Sequence, residues 1–259
     1  MQILSPNYES SIKILNEKKP FIITSTGRTG TALFTQILNS VPDNYVVHEP
    51  IPNEQFYHAQ ALMYPEIAKE YLIRFRLREM AYRIQKNKCL RYGEVNGALR
   101  RHIVALKKVA PFFKITHIIR DGRAVITSVL NRNTFTMKDK IYNKIIPPQE
   151  DISPDKWYAM DRFQKICWMW ANENKFMREN ADFSVRFEDL ILNYDYFKGH
   201  LLKPLSLDIN YSIWKGYTDR IINATHGQKK HIYANWLNNE KEFFWNTCGK
   251  EMIRFKYIR

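Results

Sequence analysis

Apolar positions recur along the chain in two rhythms, and their order predicts strands alternating with helices. The run Phe21-Ile22-Ile23-Thr24-Ser25 is short and β-branched, and a glycine-bearing turn follows it. Ala32, Leu33, Ile37 and Leu38 then return at helical spacing, so this stretch reads as strand, loop and helix. Tyr45-Val46-Val47 predicts a second strand, ended at His48-Glu49-Pro50 because a proline has no N–H to continue the pairing. From Tyr57 to Lys88, the positions of Leu62, Ala68, Tyr71, Leu72, Phe75 and Ile84 predict one or two helices, with Pro65 at a start or a kink. A further helix is predicted from Gly97 to Val109. Phe113 through Ile119 then reads as a strand that runs directly into Arg120-Asp121-Gly122-Arg123 and a helix through Leu130.

Ser153 as N-cap and Pro154 as first helical residue predict one long helix, with Trp157, Met160, Cys167, Trp170 and Met177 on a single core-facing stripe. Phe183 to Phe187 alternates like a strand, and the remainder reads as short helices ending in an amphipathic stretch. Strands separated by helices imply an α/β fold: a central, mainly parallel sheet covered on both faces, with ligands at the carboxyl ends of the strands. The prolines at Ile146-Pro147-Pro148 and Ser153-Pro154 read as loops rather than a linker, so a single domain is expected over residues 1–259.

Charge narrows the range of partners. With 40 Lys and Arg against 26 Asp and Glu, the net charge of +14 favours an anionic partner, whether nucleic acid, acidic glycan, phospholipid surface or a polyphosphate-like cofactor. Arg74, Arg76, Arg78, Arg83, Lys86, Lys88 and Arg91 face only one acid, Glu79, within their stretch, and Arg100, Arg101, Lys107 and Lys108 follow. These read as a solvated helix face or as a surface for an acidic glycan. Three widely spaced cysteines, Cys89, Cys167 and Cys248, argue against a disulfide framework or zinc site, and the seven histidines lack ligand spacing, so no metal is expected. No signal-peptide core and no run of 18 apolar residues occurs, which predicts a soluble, cytoplasmic protein.

Two segments carry chemistry. In Ser25-Thr26-Gly27-Arg28-Thr29-Gly30-Thr31 the glycines let the backbone curl, so that N–H groups and the hydroxyls of Thr26, Thr29 and Thr31 can converge on a phosphate at a helix N-terminus. The loop is P-loop-like but lacks the Gly-Lys-Ser/Thr ending that positions magnesium beside a triphosphate. The second segment runs from Thr116 to Ser128: Arg120 leaves a strand end, and Ser128 lies two turns into the next helix, where the two can clamp one phosphate. Alternatively, Arg120 pairs with Asp121 or with a carboxylate of the sheet.

Together these segments resemble the PAPS-dependent sulfotransferases (PAPS is 3′-phosphoadenosine 5′-phosphosulfate), particularly the bacterial and carbohydrate-type members. Arg186-Phe187-Glu188-Asp189-Leu190 is similar to the family's Arg-Tyr-Glu-Asp-Leu, and Trp170 followed by Asn174 also matches. The resemblance implies that residues 21–40 hold the 5′-phosphosulfate and residues 114–130 the 3′-phosphate, with PAP (3′-phosphoadenosine 5′-phosphate) as product. It places Arg28 against the leaving group, makes Glu188 and Asp189 structural braces, and suggests that Lys229 or Lys230 closes the donor site. For the base that takes the acceptor proton, Glu49 is the first choice, because Glu49-Pro50 resembles a segment of carbohydrate sulfotransferases. His48, and Glu94 at another expected strand end in Tyr92-Gly93-Glu94-Val95-Asn96, remain alternatives. The expected reaction is sulfuryl transfer to a hydroxyl or amine, on a carbohydrate or other small hydroxyl compound, with neither metal nor nucleic acid. Rival readings are a P-loop small-molecule kinase using ATP and magnesium, and a non-enzymatic basic module binding acidic glycan or nucleic acid.

Overall fold

A computed structural model describes residues 6–219 and 232–258. Along the chain, α1 (Tyr8–Glu17) precedes β1 (Phe21–Thr24), α2 (Thr31–Leu38), β2 (Asn44–His48), α3 (Gln55–Met63) and α4 (Ile67–Tyr71). A π-helical turn, Leu72–Arg76, joins α4 to α5 (Leu77–Asn87). Next come β3 (Arg91–Val95), a 3-10 segment Gly97–His102, α6 (Ile103–Val109), β4 (Lys114–Ile119) and α7 (Gly122–Leu130). The remaining elements are α8 (Pro154–Ala159), α9 (Arg162–Asn180), β5 (Phe183–Arg186), α10 (Phe187–Leu192), α11 (Tyr194–Phe197), α12 (Tyr211–Thr218) and α13 (Asn238–Arg254).

The five strands form one sheet in the order β2-β3-β1-β4-β5, and every pairing is parallel. Parallel pairing demands helical crossovers, which cover both faces and bury the strands on both sides. Phe21, Ile23 and Ile118 pack beneath α2 and α10 to α12. Ile22, Tyr92 and Ile115 face the other way, beneath α1, α5 and α6. Ile119 joins a third cluster built from α7, α9 and α13. Thus β1 and β4 are neighbours whose following helices leave to opposite faces of the sheet. A crevice opens at such a switch point, beyond the carboxyl ends of the two strands.

Three local features depart from the sequence expectations. The long helix starting at Pro154 is two helices, because Asp161 forms a capping box that starts α9 afresh: its side chain accepts from the Gln164 N–H at 2.8 Å, and Gln164 accepts from the Asp161 N–H at 3.1 Å. Strand β3 carries Gly93, weakening its apolar pattern, because the ring of Phe21 occupies the space a Cβ would need. Arg76, Arg100 and Arg101 are not part of a solvated basic face. Arg76 has no exposed surface, and the other two are almost wholly buried on a carboxylate, Glu173.

Candidate functional site at the carboxyl edge of the sheet

Ser25, the residue after β1, organises the loop that follows. Its hydroxyl oxygen accepts from the Gly27 N–H at 3.1 Å and from the Thr29 hydroxyl at 2.7 Å. Gly27, Arg28 and Gly30 have φ of 83°, 60° and 70°, so the chain winds left-handed until Gly30 caps α2. At the two glycines this conformation is cheap; at Arg28 it stores roughly 1–2 kcal/mol of strain. The Thr26 hydroxyl is buried without a hydrogen-bond partner. Thr31, at the start of α2, lies 2.8 Å from Nε2 of the exposed His48.

Arg120, just beyond β4, reaches across to this loop. Its Nη1 donates to the main-chain oxygen of Arg28 at 2.7 Å, its guanidinium lies 4.7 Å from the Phe187 ring centroid, and its Nε is buried without a partner. Arg28 in turn donates from Nε to Ser128 Oγ at 2.9 Å. The alternative pairing of Arg120 with Asp121 does not occur: Asp121 caps α7 through the Arg123 N–H and holds the Arg123 guanidinium at 2.6 Å. No carboxylate among the described residues pairs with Arg28 or Arg120. The Arg28 guanidinium is held below the usual arginine range, first by burial and then by the charges of Arg132 and Arg120. Crowded, half-desolvated cations are stabilised by an anion.

Arg132 was not singled out in the sequence, although it follows the helix that carries Ser128. The loop holding it is fastened by Arg162, which donates to the main-chain oxygens of Val129, Leu130, Arg132 and Thr134. Behind Arg120, Glu188 accepts from the Asp121 N–H at 3.1 Å and from the Tyr257 hydroxyl at 2.6 Å, while Asp189 pairs with Arg186 at 3.5 Å. Asn174 holds His117 of β4 at 2.9 Å, and Trp170 packs where a Cβ on Gly122 would stand.

Glu49 forms the opposite wall. It has φ of 40°, is half-buried, and accepts from Gln55 Nε2 at 3.4 Å. A Cβ on Gly97 would lie 3.1 Å from the Ser25 oxygen and 3.5 Å from Glu49 Oε1, so Gly97 keeps open the space between the loop and the carboxylate. Glu94 stands apart. It has no exposed surface, and its oxygens are taken by Arg76 at 2.5 Å, Tyr92 at 2.5 Å and Asn96 at 3.0 Å. That environment is a buried ionic network, and Glu94, named above as an alternative base, has both carboxylate oxygens already engaged in it. Lys229 and Lys230 lie outside the described residues. Among the described residues, no three His, Cys, Asp or Glu side chains gather to hold a metal ion.

No family model matches the chain, and no curated protein matches it in sequence. Solved structures do match in fold. The sulfotransferase STF9 from Mycobacterium avium superposes with a TM-score of 0.54 at 10% identity, over 96% of this chain and 80% of that one. The sulfotransferase STF1 from Mycobacterium tuberculosis gives a TM-score of 0.47 at 14% identity, over 92% of this chain and 79% of that one. At such identity the first superposition speaks to architecture alone, a five-stranded parallel sheet flanked by helices. The chain has the sulfotransferase fold.

Proposed function

We propose that the chain transfers a sulfuryl group from PAPS to an acceptor hydroxyl or amine, with a carbohydrate hydroxyl as the favoured acceptor. The observation that carries this reading is the meeting of Arg28 with Arg120 and Ser128, which lie 92 and 100 residues further along the chain, around space that contains no carboxylate partner for either arginine. An anionic ligand fits the residues present: the unpartnered Thr26 hydroxyl and Arg120 Nε are donors awaiting acceptors, and burial beside Arg132 and Arg120 disfavours the charge of Arg28 until an anion arrives. When bound, PAPS supplies a sulfuryl group already attached to a good leaving group, a phosphate.

On this reading each residue has a task. The curled backbone from Thr26 to Thr31 offers its N–H groups and hydroxyls to the 5′-phosphate. Arg28 neutralises the negative charge that grows on the departing phosphate oxygen. Arg120 and Ser128 hold the 3′-phosphate, and Lys229 or Lys230 closes over it. Glu49 takes the proton that the acceptor hydroxyl loses as its oxygen bonds to sulfur, and His48, tied to Thr31, is the second candidate. The three buried free cysteines suit a reducing, cytoplasmic setting, and no helix among the described residues is long and apolar enough to cross a membrane.

The test is transfer of label from radiolabelled PAPS to a panel of glycans and small acceptors, with PAP titrated into the protein by calorimetry. A labelled product and PAP heat are expected. Thermal stabilisation by ATP and magnesium but not by PAP would instead favour a kinase.

A further inference from the structure

Four aromatic rings run in contact across α3, α4 and the π-turn. Phe56 meets Tyr57 edge-on at 5.6 Å, Tyr57 stacks on Tyr71 at 4.1 Å, and Tyr71 meets Phe75 at 5.8 Å. Three of them face solvent: Phe56 is 49% exposed, Tyr57 38% and Phe75 44%, while Tyr71 is buried beneath them. Exposed rings in a contiguous group mark a binding surface more often than scattered ones do. This group is also braced. The Tyr71 hydroxyl donates to Glu54 Oε1 at 2.8 Å, and Arg76 Nε donates to the same oxygen at 2.5 Å. Those residues are five apart, and the wider π-turn brings both over one carboxylate. Asn96 holds the other oxygen of Glu54 at 2.7 Å.

The strip and the candidate base are linked through α3, where Gln55, which donates to Glu49, directly precedes Phe56 in sequence. We propose that Phe56, Tyr57 and Phe75 form a platform on which the pyranose rings of a saccharide acceptor stack, leading one hydroxyl toward Glu49. Flat aromatic faces suit the axial C–H faces of sugars. Two features favour a saccharide over a lipid surface. The exposed apolar area is aromatic rather than aliphatic, and its neighbours Glu66, Lys69, Glu70 and Arg74 carry balanced charge, with Glu70 and Arg74 paired at 3.2 Å, where an anionic bilayer calls for uniform cations. That the saccharide is the acceptor rests on the sulfuryl-transfer reading; that the rings bind it does not.

The experiment uses saturation-transfer NMR and calorimetry on the whole chain with cellopentaose, chitopentaose and maltopentaose as probes, and PAP in a separate titration. At least one oligosaccharide is expected to bind, with its affinity lowered at least tenfold in both Phe56→Ser and Phe75→Ser. These side chains are half-exposed, so their variants fold where Tyr57→Ala, which uncovers Tyr71, risks not doing so. Melting temperatures and PAP affinity should stay at wild-type values. Wild-type saccharide binding in both serine variants, binding to none of the three probes, or binding only to phosphatidylglycerol vesicles would overturn the platform. Saccharide binding without PAP binding would leave the platform standing and remove the donor reading instead.

Discussion

Arg120 donates a 2.7 Å hydrogen bond to the main-chain oxygen of Arg28, so the turn after β4 holds in place the turn after β1. Through Arg28 Nε the same turn reaches Ser128, and three residues from two segments become one cationic unit. Substitutions within this unit should separate charge neutralisation from ligand positioning.

Arg28→Ala removes the cation assigned to the leaving group. Turnover of PAPS should fall about 10²-fold or more, as for other lost transition-state donors. Arg28→Lys should retain part of the activity, having the charge without the planar fork. Initial rates of label transfer decide this, and a wild-type rate in Arg28→Ala removes the role.

Ser128→Ala deletes the acceptor that orients Arg28 and the hydroxyl assigned to the 3′-phosphate. A hydrogen bond to a charged group is worth about 1.5–3 kcal/mol, so PAP should bind at least tenfold more weakly. Adenosine 5′-phosphosulfate, which lacks the 3′-phosphate, should lose less. Calorimetry with both ligands reads the difference.

Glu49→Gln and Glu94→Gln should behave differently although both replace a carboxylate. The first should reduce kcat by about 10² to 10⁴ with the melting temperature preserved. The second removes one of three carboxylates around Arg76, which keeps Glu54 and Glu79, and should cost about 1–3 kcal/mol in stability through the buried hydrogen bonds it disturbs. Urea denaturation alongside kinetics distinguishes the two effects.

Acid should weaken the fold before it titrates any surface carboxylate. Burial pushes His58 and His117 down to about 4 and His102 to about 3. The unfolded chain protonates histidine near 6.5, so between about pH 6.5 and pH 4 it takes up protons that the native state refuses. Stability therefore falls with pH, by about 1.4 kcal/mol per unit for each of the three residues. Glu173, whose carboxyl Arg101 and Arg100 hold well below the usual range despite its burial, keeps its contribution until the pH drops past the unfolded value near 4.3. Urea titrations at pH 7 and 5.5 measure the slope. His102→Leu, which removes one of the three buried imidazoles, should flatten it.

The two glycines of the loop after β1 should differ in tolerance. Both lie at positive φ, but a Cβ on Gly27 meets nothing within 4 Å, whereas one on Gly30 would stand 2.5 Å from the Phe187 ring. Gly27→Ala should cost about 1 kcal/mol and lower the melting temperature by about 2–4 °C. Gly30→Ala adds an overpacking cost of about 1–3 kcal/mol and should displace the ring beneath Arg120.

The β-branched run at Phe21 to Thr24 and the apolar strand before Arg120 made the central strands legible in the sequence, because buried parallel strands carry a continuous apolar signal. Strand β3 was visible only at its end, since packing of Phe21 requires a glycine in its middle. The loop after β1 and the arginine after β4 could be located because each directly follows a strand whose apolar run the sequence displays. Burial of charge was not readable: Arg76 and Arg100 look like their exposed neighbours, and only the fold brings Glu54, Glu94 and Glu173 to meet them. Arg132 escaped notice for a related reason, since its closeness to Arg28 arises from the tertiary turn that Arg162 fastens.

Strand β1 lies in the middle of the sheet, with β3 on one side and β4 on the other. Fraying from either edge must undo at least one whole ladder before it reaches Ile22 or Ile23. Their amides should be among the slowest in the molecule to exchange with deuterium, so the curl that starts at Ser25, just past the strand, is rooted in the part of the protein that opens last.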